Sequence, residues 1–300
     1  MKKFLSCCIS AFFCLSCTVD YEFGESNILE HDRLVINALL NPTQPLEVYF
    51  YAIGRVDTGY VYSALQGVRV LLKENDKILF DGVCSDTVLR LPQSPLAGAN
   101  YSIEASYAGM ETASASAYVP EAIDGSVRME IYDNEWVKDD LIFYLSDLRL
   151  PAGNEASLFI TAYGLDKDGE EGQYGEIYAS HALLDLLNRV EGMPVKNPIV
   201  GSMYYDGFLR VKNKNLPNLD EIAFMPLYAA YDTKVWIKLL TASKEYDQYC
   251  RTLYQQKAMI IYDDDISAIV YQPIQVYSNI KNGMGIFAGI NEINYYFDVP

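Results

Sequence analysis

The residue types that most often carry catalysis are scarce in this sequence. Its 300 residues include two histidines, His31 and His181, and neither lies in a nucleophile motif such as G-x-S-x-G. Either histidine could still serve as a metal ligand or a general base, but nothing in its sequence surroundings favours that role. We therefore expect no catalytic residue and predict that the protein is not an enzyme.

Two acidic runs have the composition of a cation site. The run 166–171 (DKDGEE) has its glycine at the fourth place, whereas an EF-hand loop needs it at the sixth. The run Asp263, Asp264 and Asp265 has no histidine or second carboxylate pair near it in the sequence, as a two-metal site would require. We expect both runs to be exposed turns and predict no metal site.

Three glycines near the C-terminus, Gly283, Gly285 and Gly289, have the spacing G-x-G-x-x-x-G. A dinucleotide-binding loop has the spacing G-x-G-x-x-G between a strand and a helix, so no cofactor is expected. We predict instead a tight turn with a positive φ at Asn282-Gly283, a close backbone approach at Gly285, and inward packing of Ile286 and Phe287.

Tyrosine is unusually frequent, with 25 residues against 12 phenylalanines. Tyr60 and Tyr62 fall in a long predicted loop, 54–66, where exposed tyrosines could contact a protein or a sugar. Packing against the fold is the alternative for both residues. Tyr49 and Tyr51 lie on a predicted strand, and we expect them to pack there with their hydroxyl groups at the wet rim.

The N-terminus has the pattern of a signal peptide. Lys2 and Lys3 precede an apolar run, 4–15, which is shorter than the ~20 residues of a membrane-spanning helix. Ser16-Cys17 resembles the lipobox of bacterial lipoproteins. We predict that residues 1–16 are removed and that Cys17 is lipidated, which would anchor the chain to a membrane. Ordinary secretory cleavage near the same point is the alternative.

The composition narrows the class of partner. Half of the residues are apolar and 21% are charged, as in ordinary globular proteins. The formal net charge is −17, which would repel the phosphates of a nucleic acid. We expect no nucleic-acid partner, and attachment to the membrane through lipid rather than through basic residues.

From Cys17 onward, the sequence predicts a tether followed by two β-rich domains. Two domains agree with the length of 300 residues at ~150 residues per domain. We predict that residues 17–32 form an acidic tether. Residues 33–120 contain short strands separated by turns, which is typical of an immunoglobulin-like β-sandwich. The predicted strands in this part are 34–40, 46–53, 68–73, 77–80, 87–91, 101–107 and 114–119. A boundary is predicted at 120–125, where Pro120 removes a strand donor and Gly125 loosens the chain.

Residues 121–300 are predicted to form a larger β-rich domain with one or two short helices. The helical candidates are 182–190 and 244–257, the second with Ser243 as its N-cap. The predicted strands are 127–132, 142–148, 156–163, 205–211, 235–240, 259–261 and 289–297. The predicted fold class is therefore mainly β.

Two cysteines, Cys84 and Cys250, lie beyond the N-terminal segment. An oxidising compartment would permit a disulfide between them. The alternative is two unpaired buried thiols, since Cys250 falls on the apolar face of the helix predicted at 244–257.

Several stretches together resemble a family of secreted lipoproteins from Bacteroidota, whose domain carries a number (forty-two forty-nine) and no known function. In chain order the stretches are LVINALLNP (34–42), GVRV (67–70), NYSI (100–103), VP (119–120), ID (123–124), KEYDQY (244–249), QQ (255–256) and PIQVYSNIKNGMGIF (273–287). The pattern N-I-x-x-G-x-G-x-F within the last stretch is the most specific part of the resemblance.

The resemblance implies a location and a partner but no chemistry. Members are similar to outer-membrane lipoproteins that accompany TonB-dependent transporters, and the family has no known catalytic residues. We therefore expect a non-enzymatic accessory binding or scaffold subunit that is anchored at the outer membrane, with a TonB-dependent receptor as its candidate partner. The alternatives are a structural or adhesive surface lipoprotein and, less favoured, a hydrolase whose carboxylates meet only in the fold.

Overall fold

The computed structural model describes residues 32–56, 59–132, 140–149, 156–165, 171–174, 176–189, 205, 207–212, 220–227, 234–261 and 275–298. All of them belong to one compact unit, Asp32–Pro300. The predicted signal peptide, Cys17 and all but the last residue of the predicted tether lie outside the described residues.

The described residues form strands and two helices. The first eight strands are β1 (Arg33–Leu40), β2 (Leu46–Val56), β3 (Gly59–Ala64), β4 (Val68–Glu74), β5 (Lys77–Cys84), β6 (Val88–Leu91), β7 (Asn100–Ser106) and β8 (Ala113–Tyr118). The later strands are β9 (Asp124–Tyr132), β10 (Asp140–Arg149), β11 (Ser157–Leu165), β12 (Glu171–Tyr174), β13 (Glu176–Tyr178), β14 (Leu209–Lys212), β15 (Glu221–Leu227), β16 (Lys234–Ala242) and β17 (Met284–Asp298). The helices are α1 (His181–Leu187) and α2 (Lys244–Ile261). The prediction of a mainly β fold is confirmed.

The strands form three sheets. A nine-stranded sheet has the order β12-β11-β16-β17-β1-β2-β3, with β14 also paired to β11 and β6 to β2. Two four-stranded sheets have the orders β5-β4-β7-β8 and β13-β15-β10-β9. Alternation of apolar and polar residues produces these elements, because successive side chains of a strand point to opposite faces. In β7, for example, Tyr101, Ile103 and Ala105 are buried, whereas Asn100, Ser102 and Glu104 are exposed.

Each four-stranded sheet closes a hydrophobic core against the large sheet. The first core lies between β1 and β2 on one side and the sheet β5-β4-β7-β8 on the other, and it contains Phe50 and Tyr101. This part of the chain is thus a two-layer β-sandwich. The second core lies between β11, β16 and the sheet β13-β15-β10-β9, and it contains Phe143 and Phe224, whose rings stack with centroids 5.8 Å apart.

The chain passes from one core to the other at the predicted boundary. Val119 is buried in the first core and Ile123 in the second. Strand β17 belongs to both cores, with Phe287 buried in the first and Phe297 packed against the second. The division at 120–125 stays a prediction, and the large sheet contains strands from both sides of it.

Strand β17 changes partner along its length. Its first part pairs with β1 in parallel, from Val35↔Met284 to Leu40↔Gly289. Its second part pairs with β16 in antiparallel orientation, from Ala242↔Ile290 to Lys234↔Asp298. One strand therefore joins the N-terminal and C-terminal parts of the large sheet.

The turn before β17 follows the prediction with one correction. Asn282 has a positive φ of 55°, but Gly283 does not; Gly285 has a φ of 101°. Gly283 is needed for space, because a Cβ atom there would lie 2.7 Å from the carbonyl oxygen of Leu34. The close approach predicted at Gly285 is confirmed, since a Cβ atom there would collide with the carbonyl oxygen of Ile36.

An asparagine side chain closes this turn. Asn279 Nδ2 donates to the carbonyl oxygen of Phe287 at 2.7 Å, and the N–H of Phe287 donates to Asn279 Oδ1 at 3.0 Å. The asparagine and the phenylalanine of the N-I-x-x-G-x-G-x-F pattern are therefore hydrogen-bonded to each other. The residues of the pattern therefore form a loop that places the Phe287 side chain in the first core.

Helix α2 is longer than predicted. Its N-cap is Ser243 as expected, with the N–H of Tyr246 donating to Ser243 Oγ at 3.4 Å. Residues 259–261 were expected to be a strand and are instead the last residues of the helix. A short apolar run does not by itself distinguish a buried strand from the continuation of a helix.

Candidate functional site

One face of the large sheet points away from both cores, and we call it the outer face. On β17 it carries the even-numbered residues, because Phe287, Ile293 and Phe297 point into the cores. Helix α2 packs on the middle of this face, where Ile286 and Ile290 are buried although they belong to neither core. The outer face beyond the helix is the candidate functional surface.

An aromatic row crosses three neighbouring strands of the outer face. Tyr163 on β11, Trp236 on β16 and Tyr296 on β17 are directly in register. The centroids of the Tyr163 and Trp236 rings are 5.1 Å apart, and those of Trp236 and Tyr296 are 5.8 Å apart with planes 15° from parallel. Tyr296 is 60% exposed, so the row ends in an accessible ring.

Polar side chains lie on both sides of the aromatic row. Trp236 Nε1 donates to Asn294 Oδ1 at 2.8 Å, which holds the indole in place. Lys238 Nζ lies 4.5 Å from the centroid of the Trp236 ring and 3.7 Å from Glu292 Oε2. At the other side of the rings, an ion pair of 3.6 Å joins Lys234 to Asp298. The rings are thus bordered by two compensated ion pairs and one amide.

The aromatic row is not among the sites predicted from the sequence. One signal was available: in the alternating stretch KVWIKL (234–239), Trp236 occupies the same face as Lys234 and Lys238. A large aromatic residue on the polar face of a strand is more informative than one on the apolar face. The contribution of Tyr163 and Tyr296 depends on pairing between distant strands.

The predicted binding residues Tyr60 and Tyr62 do not lie in a loop. Both belong to β3, which pairs with β2 at Arg55↔Tyr60 and Ile53↔Tyr62. The prediction of a loop over 54–66 is therefore wrong, because residues 59–64 complete the edge of the large sheet. Tyr62 is 62% exposed, which leaves it available for contacts, and the side chain of Tyr60 lies outside the described residues.

Tyr62 lies near Tyr249 of helix α2. Burial raises the pKa of Tyr249 on α2, and the nearby Tyr62 raises it further.

Tyr49 and Tyr51 on β2 are half-buried, as expected for strand positions. The hydroxyl of Tyr49 donates to Glu47 Oε2 at 2.6 Å, which lowers the pKa of Glu47. Tyr49 is thus engaged within the fold.

A buried ion pair holds helix α2 on the outer face. Arg210 on β14 donates from Nε to Asp247 Oδ1 at 2.5 Å and from Nη2 to Oδ2 at 2.6 Å. The two residues are 3% and 8% exposed. The buried Asn188 supports the arginine, since its Oδ1 accepts from the N–H of Arg210 at 2.8 Å. Two-point contacts of this kind are among the stronger polar interactions in proteins.

Aromatic rings surround this ion pair. Tyr205 contacts Phe208 and Tyr254, with centroid distances of 5.4 Å and 4.9 Å. Burial raises the pKa of Tyr205, and the neighbouring Arg251 opposes that rise. The cluster connects β14 with α2, and its burial indicates a role in holding the fold together.

Among the described residues, the candidates for catalysis and metal binding do not come together in a site. His31, residues 166–170 and the aspartates 263–265 lie outside the described residues. His181 begins α1, and its side chain lies outside the described part. Within the described part of the chain no group of three or more His, Cys, Asp or Glu residues could hold a metal ion.

Ser278 and Lys281 have the spacing S-x-x-K, which occurs in some enzymes with a serine nucleophile. Here Lys281 is exposed, and Ser278 Oγ accepts from the N–H of Ile280 at 3.2 Å.

The two remaining cysteines are unpaired in the structure. Cys84 is buried in the first core, and Cys250 is half-buried on α2. Burial raises the pKa of the Cys250 thiol to about 11, which keeps it protonated near neutral pH. A protonated thiol is a poor nucleophile and a poor metal ligand.

No helix among the described residues is long and apolar enough to span a membrane. No curated protein matches the chain. The family model with the description "Domain of unknown function (DUF4249)" matches residues 18–295, which include every described strand except the last three residues of β17. The chain therefore belongs to the DUF4249 family.

Proposed function

We propose that the protein is a lipid-anchored outer-membrane protein that acts without catalysis, as an accessory binding or scaffold subunit of a TonB-dependent uptake system. The observation that carries the binding role is the aromatic row on the outer face. Its rings lie on three paired strands, and the central Trp236 is held by a hydrogen bond to Asn294, as in a preformed contact surface. The lipid anchor is supported by the apolar run 4–15 and by Ser16-Cys17.

Replacing Cys17 by serine is expected to release the protein from the membrane. Serine has no thiol to receive the lipid, and the described residues contain no helix that could span a bilayer in its place. The measurement is the distribution between soluble and membrane fractions after a high-salt wash, with Cys84→Ser as the matched control. A Cys17→Ser protein that still sediments with membranes would show that the lipid anchor is not what holds it there.

The uptake role is tested by co-isolation from the bacterium that encodes the protein. The tagged, acylated full-length chain is extracted in mild detergent, and the proteins retained with it are quantified against the Cys17→Ser variant. We expect one TonB-dependent receptor to be retained in near-stoichiometric amount by the acylated protein. Retention of fimbrial subunits in its place would favour an adhesive function and contradict the uptake role.

A further inference from the structure

We propose that the aromatic row Tyr163–Trp236–Tyr296 is a binding site for a neutral carbohydrate chain. The inference rests on the proposed binding function and names the chemical class of its ligand. Three properties of the site carry it: the accessible ring, the cancellation of charge around it, and the rigidity of its support.

The accessible ring provides an apolar contact area of the kind that sugars use. The planes of Tyr296 and Trp236 are 15° from parallel at a centroid distance of 5.8 Å, so one face of Tyr296 is packed on Trp236. The residue is 60% exposed, which leaves the rest of the ring to solvent. The C–H groups on one face of a pyranose ring are apolar and pack on such a ring, while tyrosine also offers a hydroxyl for hydrogen bonding.

The charges around the row favour a neutral ligand. Lys238 is paired with Glu292, and Lys234 is paired with Asp298. The row therefore has charged groups of both signs that accept and donate hydrogen bonds, without a local net charge. The chain as a whole has a formal charge of −17, which disfavours an anionic ligand. Hydroxyl groups, which both donate and accept, suit this set of partners best.

The paired strands that carry the three rings hold the aromatic row in a preformed arrangement. The three rings are on strands paired residue by residue, at Tyr163↔Trp236 and Trp236↔Tyr296. The indole is additionally fixed through Nε1 to Asn294. Little conformational entropy is then lost when a ligand packs on the rings, which matters for a flexible ligand such as an oligosaccharide.

The size of the row argues against a protein as its ligand. An aromatic side chain buries about 150–250 Å², so three of them fall short of the ~800 Å² that each partner buries in a standard protein interface. The row also lies on a sheet face rather than an edge, and an extended peptide could not add to the sheet there through its backbone. Tyr163 is only 8% exposed and Trp236 is half-buried, so the accessible part of the row is Tyr296 with part of Trp236. Such a narrow strip is better matched to a single chain of sugar rings.

The test uses the fluorescence of Trp236. The sequence has two tryptophans, so replacing Trp136 by phenylalanine leaves Trp236 as the reporter. The full-length protein in detergent is titrated with neutral oligosaccharides of glucose, xylose, mannose and galactose, and separately with polygalacturonate as an anionic probe. We expect at least one neutral series to shift the Trp236 emission in a saturable manner, with affinity increasing with chain length.

Two variants separate binding from folding. Tyr296→Ala removes the exposed ring and is expected to weaken the binding by at least ~10-fold, which corresponds to about 1.4 kcal/mol. The matched control is Tyr178→Ala, which removes an exposed tyrosine from β13 and should leave the binding unchanged. Both residues are surface-exposed, so both variants should fold.

Three results would overturn the proposal: no saturable response to any neutral series, a response to polygalacturonate alone, or equal affinity in the Tyr296→Ala protein. The uptake role is judged by a separate readout. If Tyr296→Ala abolishes carbohydrate binding and still retains the TonB-dependent receptor, both statements hold. If the receptor is retained and no carbohydrate binds, only the carbohydrate site is wrong.

Discussion

Replacing Phe287 by alanine is expected to lower the free energy of unfolding by about 3–5 kcal/mol. The side chain is fully buried in the first core, and its backbone is hydrogen-bonded in both directions to the side chain of Asn279. Truncation leaves a cavity that the paired strands β1 and β17 cannot easily close. Typical domains are stable by ~5–15 kcal/mol, so the loss should be visible in urea unfolding and in the yield of soluble protein.

Two further variants show whether the segment is structural. Gly283→Val should also destabilise the protein, because its side chain would meet the carbonyl oxygen of Leu34 and the side chain of Ile280. Tyr296→Ala, on the same strand but exposed, should change stability by no more than ~0.5 kcal/mol. If Phe287→Ala or Gly283→Val kept full stability and lost ligand or receptor binding, the segment 279–287 would be a recognition site.

Replacing Asp247 by alanine is expected to destabilise the protein by about 3–5 kcal/mol. The substitution leaves the guanidinium of Arg210 buried without its carboxylate partner. The loss should be concentrated in the attachment of α2 to the outer face. Hydrogen exchange of the α2 amides, measured beside urea unfolding, checks both the magnitude and the location.

The double substitution Arg210→Met with Asp247→Leu tests the physical cause. Removing both charges avoids the uncompensated cation, so the double variant should recover most of the lost stability. The matched control is Asp298→Ala, which breaks the exposed pair with Lys234 and should cost less than ~1 kcal/mol. Equal effects of Asp247→Ala and Asp298→Ala would mean that the buried pair does not hold the helix.

The strands that could be predicted from the sequence are those whose residues alternate between a core and solvent. The stretch NYSIEAS (100–106) is an example, because its burial follows the alternation residue by residue. Strand β3 could not be predicted in this way. It begins at Gly59 and ends before the turn at Gly67, and its pairing with β2 is what makes it a strand. Edge strands depend on such pairing more than on local pattern.

The candidate site was harder to predict than the fold. Tyr163, Trp236 and Tyr296 are distant in the sequence, and only the register of three strands brings their rings together. Composition showed that tyrosine was frequent but not which tyrosines would meet. Tyr62 was selected for a loop position that it does not occupy, and the sequence left open whether it would be exposed, as it is, or packed against the fold. The helix α2 could be predicted because its cap and apolar face are local.

The parallel pairing of β1 and β17 determines how the fold responds to a mechanical force. Residues before Arg33 lead back toward Cys17, and β1 runs away from them in the same direction as β17. A pull on those residues against a partner held near the Asp298 end of β17 acts along the two strands in opposite directions. The pairs from Val35↔Met284 to Leu40↔Gly289 are then loaded in shear, all at the same time. Bonds loaded together must break together, so this pairing resists tension better than strands that separate one bond after another.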